Sequence, residues 1–521
     1  MKPTPDVTEP GGDIQALAAG GRTNFFGFLI RLAARLPFLF IAGRIYGADA
    51  LGRFALATIT VEFAAQLATL GLKRGLAQQL AKTSQPHVHV VWDAMLLGLV
   101  GSAIASGVLI MLPGLMFPNS AINGLDWLLP LTIFGWVGSD IALAALAYRG
   151  DIGATVKARA VVEPWTISIG AALLAFYSHR DGLILAYVLS TIAALIASIV
   201  PLFRSYGWPS GWRPRPLHLF RIAALNLPLA GADAIEWGSR RLDIYILGRF
   251  FLPDIVGIYY VAQQVASLPQ KLKTSFDPIL GPVITRNLEE GNKRAVAKQV
   301  RQVGFWIIAA QLGIALALGI PGKAVMGLVG PSFVDGTGAL AFLLAAEAIA
   351  ATAAVSEAAL IYVARVRNLI ISCAMIVVQI VVSVALIYAI RDLMPEYAGT
   401  SLPAPGPGGF GNDPVSAAGV AIGLMVALAF ASVMKARLLA KLLGARVAGW
   451  RWALVPATAA AALVGWLATV LPEWIELAFG VPLILAAYGT VVWYRGFGHE
   501  DRELFRMRKK DAQPPVPALE G

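Results

Sequence analysis

Eight charged residues lie close together in a very apolar part of the chain. They are Asp233, Glu236, Arg240, Arg241, Asp243, Lys271, Lys273 and Asp277. The hydropathy of this region predicts two membrane-spanning helices, over about 222–248 and 254–285. A charge at bilayer depth is costly unless it faces a wet cavity or a partner. The cluster therefore predicts a polar space enclosed within the membrane.

The spacing of these charges predicts one polar helix face. At about 100° per residue, a continuous helix brings onto one narrow face Asp233, Glu236, Arg240 and Asp243. The second helix is interrupted by Pro269, Pro278 and Pro282, which predict a bend. Bent helices are tolerated in a membrane where they line a cavity.

The same region has an earlier counterpart in the chain. Residues 35–57 align without gaps on 240–262, with seven identical pairs in 23 positions. The pairs used below are Arg35/Arg240, Asp49/Asp254 and Gly52/Gly257. Internal repeats of this kind are usual in secondary transporters, with the substrate site between the halves.

The composition is that of an integral membrane protein. Of 521 residues, 57% are hydrophobic and 14% charged, and the mean hydropathy is +0.69. Soluble domains carry about 25% charged residues. Cys373 is the single cysteine, so no intramolecular disulfide or cysteine metal cluster forms. No catalytic constellation, phosphate-binding loop or metal-ligand spacing is found, so we expect no cofactor and no enzymatic activity.

Lysine and arginine predict the orientation of the chain. We predict fourteen spans, over about 24–46, 51–72, 91–116, 125–148, 160–177, 183–203, 222–248, 254–285, 302–320, 337–363, 368–390, 416–438, 450–470 and 474–494. Thirty of the 42 basic residues fall in the tails and alternate loops that lie on one side, and six on the other. The positive-inside rule then places both termini in the cytoplasm. The net charge of +11 is therefore a topology signal and does not indicate nucleic-acid binding.

Six spans separate the two repeat copies, so both copies enter the membrane from the same side. The predicted fold class is an all-α membrane protein with two parallel six-helix lobes around a central cavity and two further C-terminal helices. The predicted division is an N-terminal tail (1–22), an N-terminal lobe (23–204), a linker (205–221), a C-terminal lobe (222–443), two last helices (444–495) and a C-terminal tail (496–521). We expect both tails and the linker in the cytoplasm.

Four sequence stretches resemble a known transporter family. "AGRIYGADALGRFALA" at 42–57, "LDIYILGRFFLPDIVGIYYVAQQV" at 242–265, "PILGPVITR" at 278–286 and "PVSAAGVAIGLMVA" at 414–427 are similar to the polysaccharide-exporter branch of the multidrug/oligosaccharidyl-lipid/polysaccharide (MOP) superfamily. The likeness covers most of 24–443 and agrees with fourteen spans.

The resemblance implies a flippase of the bacterial inner membrane. Its cargo would be undecaprenyl-diphosphate-linked saccharide units for O-antigen, capsule or exopolysaccharide. Implied partners are membrane lipid and a neighbouring polysaccharide polymerase. A related branch flips the peptidoglycan lipid precursor and uses cationic groups in its first span, where Arg31 and Arg35 occupy a comparable place.

A lipid diphosphate needs hydrogen-bond donors to replace its hydration. Arginine suits this task because its planar fork binds phosphate oxygens and stays charged when dehydrated. The candidate diphosphate-binding residues are Arg31, Arg35, Arg240 and Lys271. An alternative for Arg240 is a helical ion pair with Glu236, four residues earlier. Arg241 has the alternative of reaching to a membrane interface.

Carboxylates within the spans are candidates for coupling to a proton or sodium gradient, because a buried carboxylate can carry a proton. The candidate polar cavity or coupling residues are Glu62, Asp233, Glu236 and Glu357. Candidate sugar-binding residues are Gln66, Tyr245, Tyr259, Tyr260, Gln263 and Gln264.

Two other functions remain open. The first is a cation-coupled multidrug exporter of the same superfamily, which would prefer an anionic, aromatic cavity. Six basic residues within the spans count against it. The second is a membrane glycosyltransferase or polymerase that uses lipid-linked sugars. It would need acidic groups in large outer loops, and the long outer loop here, 391–415, is rich in glycine and proline.

Overall fold

The chain folds into helices that run back and forth through the molecule. The computed structural model describes residues 37–270, 284, 287–288, 290–393 and 413–502. Every regular element within these ranges is helical, and they contain no strand. In lipid a helix satisfies its own backbone hydrogen bonds, which is why an apolar chain adopts this form.

The helices of the first half are separated by short turns. They are α1 (Gly47–Ala68), α2 (Leu72–Lys82), α3 (His87–Met111), α4 (Thr132–Tyr148), α5 (Glu163–Leu174) and α6 (Gly182–Tyr206). A π-helical segment precedes α1 at Ala42–Tyr46, and another precedes α5 at Val156–Val162. 3₁₀ turns occupy Pro113–Leu115 and Asp126–Leu131, and a single α-turn occupies Ile152–Thr155.

The second half begins with a broken helix. Its helices are α7 (Pro216–Gly238), α8 (Leu242–Phe250), α9 (Pro253–Gln270), α10 (Lys293–Gly319), α11 (Gly322–Val329), α12 (Thr337–Ala351), α13 (Ala354–Val363), α14 (Arg365–Leu393), α15 (Pro414–Leu443), α16 (Leu454–Ala468) and α17 (Val481–Val491). The shorter elements are Pro331–Gly336, Glu473–Ile475, Glu476–Gly480, Val492–Gly496 and His499–Arg502.

Many of these helices have the length and apolarity of membrane spans. In the described part of the chain, nine helical stretches meet both conditions, and α13 and α16 are shorter apolar helices. The outer surface is apolar too: Phe176 is 92% exposed and Leu217 84%. An extensive exposed apolar surface on a helical bundle is what lipid contact requires. The predicted class, an all-α membrane protein, is confirmed, whereas the count of fourteen spans stays a prediction.

The helices α1 and α9 join the two halves of the chain at very close range. A Cβ atom on Gly52 would lie 1.7 Å from the carbonyl oxygen of Pro253, and one on Gly257 would lie 2.0 Å from that of Ala48. Ala48 and Pro253 are separated by the same 205 positions as Gly52 and Gly257. Each contact is therefore the repeat of the other, as in a two-fold interface. This reciprocity agrees with the predicted parallel repeat.

The apolar core follows the same junction. One cluster of buried side chains runs from α1 through α4 and α6 and continues into α9 and α12. A second cluster gathers α10, α13, α16 and α17. The helices of the second half thus contribute to both clusters.

Candidate functional site

A cavity of about 510 Å³ lies among the helices of the second half. Its wall is formed by α7 and the turn after it, α9, α10, α12, α13, α14 and α15, with one side chain, Arg74, from the first half. The basic residues of the described wall are Arg74, Arg240, Arg241, Arg365 and Lys435, and the acidic ones are Glu236, Glu347 and Glu357. Five basic and three acidic groups leave an excess of two positive charges.

A break between α7 and α8 presents two arginines to the cavity. Gly238 ends α7, and the turn Ser239–Arg241 follows before α8 begins at Leu242. The Ser239 hydroxyl donates to the Glu236 carbonyl oxygen at 2.9 Å, which helps to end the helix. Arg240 and Arg241 therefore lie outside the regular helix, where their directions are set by the turn.

This break overturns the prediction of one continuous polar face. Asp243 falls in α8 and is fully buried, away from the other charges. Its carboxylate accepts hydrogen bonds from Tyr259 at 3.0 Å and Gln263 at 2.9 Å. The 100° rule fails here because three non-helical residues reset the direction of the chain after Gly238.

Arg240 faces Glu357 rather than Glu236. Its Nη2 lies 3.9 Å from Glu357 Oε2, while Lys435 Nζ lies 2.8 Å from Oε1 of the same carboxylate. Three elements therefore converge at this point: the α7–α8 turn, α13 and α15. The interpretation of Arg240 as a helical ion pair with Glu236 is wrong in this structure, because Arg240 follows the end of α7.

Arg241 joins the two halves of the chain. Its guanidinium forms an ion pair with Glu62 of α1 and lies 4.7 Å from the centre of the Trp237 ring. The Tyr187 hydroxyl lies 3.5 Å from Glu62, and Trp136 donates to that hydroxyl at 2.7 Å. Arg241 thus lies in the cavity wall and is held from two sides, contrary to the alternative of an interfacial arginine.

A second link between the halves involves Arg74 in α2. Its Nε lies 3.1 Å from Asp233 Oδ1, and its Nη2 lies 2.9 Å from Glu236 Oε2. Both acidic residues belong to α7, so α7 leans against the first half of the chain. Gly75 permits this approach, since a Cβ there would lie 1.8 Å from Asn226 Oδ1.

Several predicted site residues fall outside the described ranges. Arg31, Arg35 and Lys271 are among them, together with Lys273, Asp277, Pro278 and Pro282. Among the predicted sugar-binding groups, Gln263 and Gln264 line the cavity. Tyr259 is buried beside Asp243 instead.

Lys435 is a wall residue that lies inside the predicted span 416–438, although its charge was counted with the basic residues of the loops and tails. The helix α15 runs for 30 residues, well beyond a predicted end near 438, and its last turns carry Lys435 in a buried position. The apolar residues that continue to Leu443 are the signal of this extension. Arg74 and Arg365 were assigned to loops and line the cavity.

Metal binding has no support in the described ranges. No group of three or more His, Cys, Asp or Glu side chains in these residues is arranged to hold an ion.

Comparisons with known proteins identify a family model and a shared fold. Residues 41–317 match a family model described as "Polysaccharide biosynthesis protein". No curated protein matches the sequence significantly. The chain is thus similar over more than half of its length to a family defined by a biosynthetic pathway.

Solved structures share the fold. The lipid II flippase MurJ in an inward closed conformation is similar with a TM-score of 0.66 and 9% identity, over 92% of this chain and 99% of that one. An inward-facing multidrug resistance MATE transporter of the MOP superfamily is similar with a TM-score of 0.58 and 15% identity, over 80% of this chain and 98% of that one. A MOP transporter from Pyrococcus furiosus is similar with a TM-score of 0.54 and 14% identity, over 85% of this chain and 99% of that one. At these identities the likeness shows the fold alone.

Proposed function

The chain belongs to the polysaccharide biosynthesis protein family and has the MOP transporter fold, and we propose that it flips lipid-linked saccharides. The cargo is an undecaprenyl-diphosphate-linked oligosaccharide unit, moved across the bacterial inner membrane for O-antigen, capsule or exopolysaccharide. The family model supports the resemblance seen in the sequence, and the solved MOP transporters share the fold.

The observation that carries the proposal is the group of five basic side chains in the described cavity wall. A diphosphate bears two or more negative charges and loses much of its hydration when it leaves the bilayer surface. Guanidinium groups offer planar pairs of N–H donors that match phosphate oxygens. Arg240 and Arg241 supply such groups at the break in α7, and the predicted partners Arg31, Arg35 and Lys271 lie outside the described residues.

The rest of the cargo has suitable surroundings as well. Amide groups of Gln263, Gln264 and Gln311 line the same cavity and offer both donors and acceptors to sugar hydroxyls. The polyprenyl chain stays in lipid, beside the exposed apolar helices. In this proposal both termini lie in the cytoplasm. Two six-helix lobes open the cavity alternately to the two sides of the membrane. A proton or sodium gradient drives the cycle through Glu62, Asp233, Glu236 or Glu357.

A flipping assay with the purified full chain tests this function. The protein is reconstituted in liposomes with a fluorescent polyprenyl-diphosphate saccharide, and loss of label on the outside is followed. We expect Arg240→Ala, and the pair Arg31→Ala with Arg35→Ala, to abolish flipping. Arg249→Ala, at the exposed end of α8, serves as the matched control and should flip at the normal rate. Normal flipping by the cavity variants would refute the role of these arginines.

A multidrug exporter is the second candidate, because MATE transporters share the fold. The five basic side chains in the wall disfavour organic cations. Binding of ethidium to the purified protein separates the two functions. Saturable ethidium binding that pyrophosphate does not reduce would favour drug export. Binding of pyrophosphate without binding of ethidium favours the flippase.

A further inference from the structure

Lys435 is the most buried of the ion-paired cations in the described cavity wall. Its side chain is 6% exposed, compared with 41% for Arg240 and 52% for Arg74. A lysine in this position needs a nearby anion, because removing an ammonium group from water costs several kcal/mol. Glu357 supplies that anion at 2.8 Å.

Glu357 serves two cations at once. Its Oε1 pairs with Lys435, and its Oε2 faces Arg240 at 3.9 Å. The second distance is at the outer limit of an ion pair, so Arg240 is the less tightly held partner. The carboxylate therefore lies between a buried ammonium and a half-exposed guanidinium, in a cavity large enough to take a ligand.

Carboxylate and phosphate compete for the same donors. Both are oxyanions that accept charge-assisted hydrogen bonds from lysine and arginine, and phosphate offers more oxygens and more charge. Two cations held around one carboxylate are therefore also arranged around a position that a phosphate can occupy. The other ion pairs at the wall use separate carboxylates, Glu62 for Arg241 and Glu236 for Arg74.

We propose that Glu357 is a resident counter-anion that cargo phosphate displaces from Lys435 and Arg240, and that Lys435 is a binding residue of this phosphate subsite. The proposal rests on the proposed function, since it needs an anionic cargo. In the empty cavity Glu357 is the shared counter-anion of both cations. When cargo arrives, the phosphate takes its place, and when cargo leaves, Glu357 returns and prevents rebinding.

The proposal predicts that removing the carboxylate tightens binding and slows transport. Glu357→Gln keeps the size of the side chain and deletes its charge. We expect the dissociation constants of inorganic pyrophosphate and farnesyl diphosphate, measured on the purified full chain by calorimetry, to fall about tenfold. We expect the flipping rate at saturating cargo to fall several-fold, because no anion remains to displace the bound phosphate. A purely structural defect would not strengthen binding while it slows turnover.

Matched variants define the outcome. Glu473→Gln makes the same change of charge at an exposed position and should leave both constants as they are. Lys435→Met should weaken pyrophosphate binding at least tenfold, and Lys435→Arg should restore most of it. If Glu357→Gln fails to fold, Glu357→Asp draws the charge back by one methylene and should tighten binding about threefold.

Failure of this inference is distinguishable from failure of the proposed function. If the unaltered protein binds farnesyl diphosphate but the Glu357 variants bind it no more tightly, the counter-anion is refuted and the flippase stands. If neither the unaltered protein nor any variant binds either compound, the anionic cargo itself is refuted. Binding of pyrophosphate without farnesyl diphosphate keeps the counter-anion and overturns the lipid-borne cargo.

Discussion

The two halves of the chain meet in two different ways. At one end α1 and α9 touch backbone to backbone in what we call the glycine contact, formed by Ala48, Gly52, Pro253 and Gly257. Further along, charged side chains make what we call the ionic contacts, namely Arg241 with Glu62 and Arg74 with Asp233 and Glu236. Glu62 lies ten residues beyond Gly52 in α1, which is about 15 Å along a helix.

The difference lies in what each contact responds to. The glycine contact depends on the absence of side chains, as in close helix pairs of membrane proteins, and neither salt nor an anion competes with it. The ionic contacts use the same cations that line the cavity, so the proposed anionic cargo would compete with Glu62 and Glu236 for them. Under this proposal only the ionic contacts respond to the charge of the cargo.

Tethering the glycine contact should have the largest effect. Asp49 and Asp254 are repeat mates beside it, each in the first turn of its own helix. In a Cys373→Ser background, Asp49→Cys and Asp254→Cys are joined by a short reducible bifunctional reagent. We expect flipping to stop completely, because the halves can no longer separate at this end, and to return after reduction.

Each single cysteine, treated with the same reagent, is the control for this experiment and should stay active. Transport at the full rate by the joined protein would show that the halves never part at the glycine contact.

Filling the glycine contact should be almost as damaging. A side chain on Gly52 meets the Pro253 carbonyl oxygen, a backbone atom that cannot turn aside. We expect Gly52→Leu to cost the closed arrangement about 3 kcal/mol or more, which corresponds to roughly a hundredfold loss of flipping. Gly107→Leu in α3, where nothing lies within 4 Å, is the matched control. A fully active Gly52→Leu protein would mean that this contact is not required.

The glycine contact could have been predicted from the sequence. The ungapped repeat pairs Gly52 with Gly257, and a two-fold relation brings equivalent positions of two copies together near the axis. The class of the fold was likewise readable, since apolar runs of helical length have few alternatives in lipid.

The ionic contacts were not predictable in the same way. The prediction of a Glu236–Arg240 ion pair was wrong because α7 ends at Gly238 and the turn Ser239–Arg241 follows. A helical wheel assumes a continuous helix through these residues. Lys435 was counted with the basic residues of the loops and tails as a topology signal, although it pairs with Glu357 at 2.8 Å. Charge partners from distant parts of a chain depend on tertiary structure, which spacing does not encode.

Removing Glu62 should have an intermediate effect. Glu62→Gln leaves Arg241 without its carboxylate, while the Trp237 ring still supports the guanidinium. The side chains are 18% and 39% exposed, so we discount the loss to about 1–2 kcal/mol. We expect the modification rate of Ser267→Cys, a cavity position, to rise about tenfold in a Cys373→Ser background. Glu62→Asp should raise this modification rate less. An unchanged rate in Glu62→Gln would show that the Arg241–Glu62 pair does not hold the halves together.

The smallest effect should come from the exposed pair Arg74–Glu236. Its side chains are 52% and 62% exposed, and such pairs contribute about 0.2–1 kcal/mol, so Glu236→Arg should change flipping only a few-fold. Combining Glu236→Arg with Arg74→Glu should recover less than full activity, because Arg74 also pairs with the buried Asp233. Glu236→Arg with Arg240→Glu should stay inactive, because Arg240 is a proposed diphosphate-binding residue. High salt should reduce the effect of Glu236→Arg through screening and leave that of Gly52→Leu unchanged. Equal salt dependence of the two variants would remove the distinction between the ionic and the glycine contact.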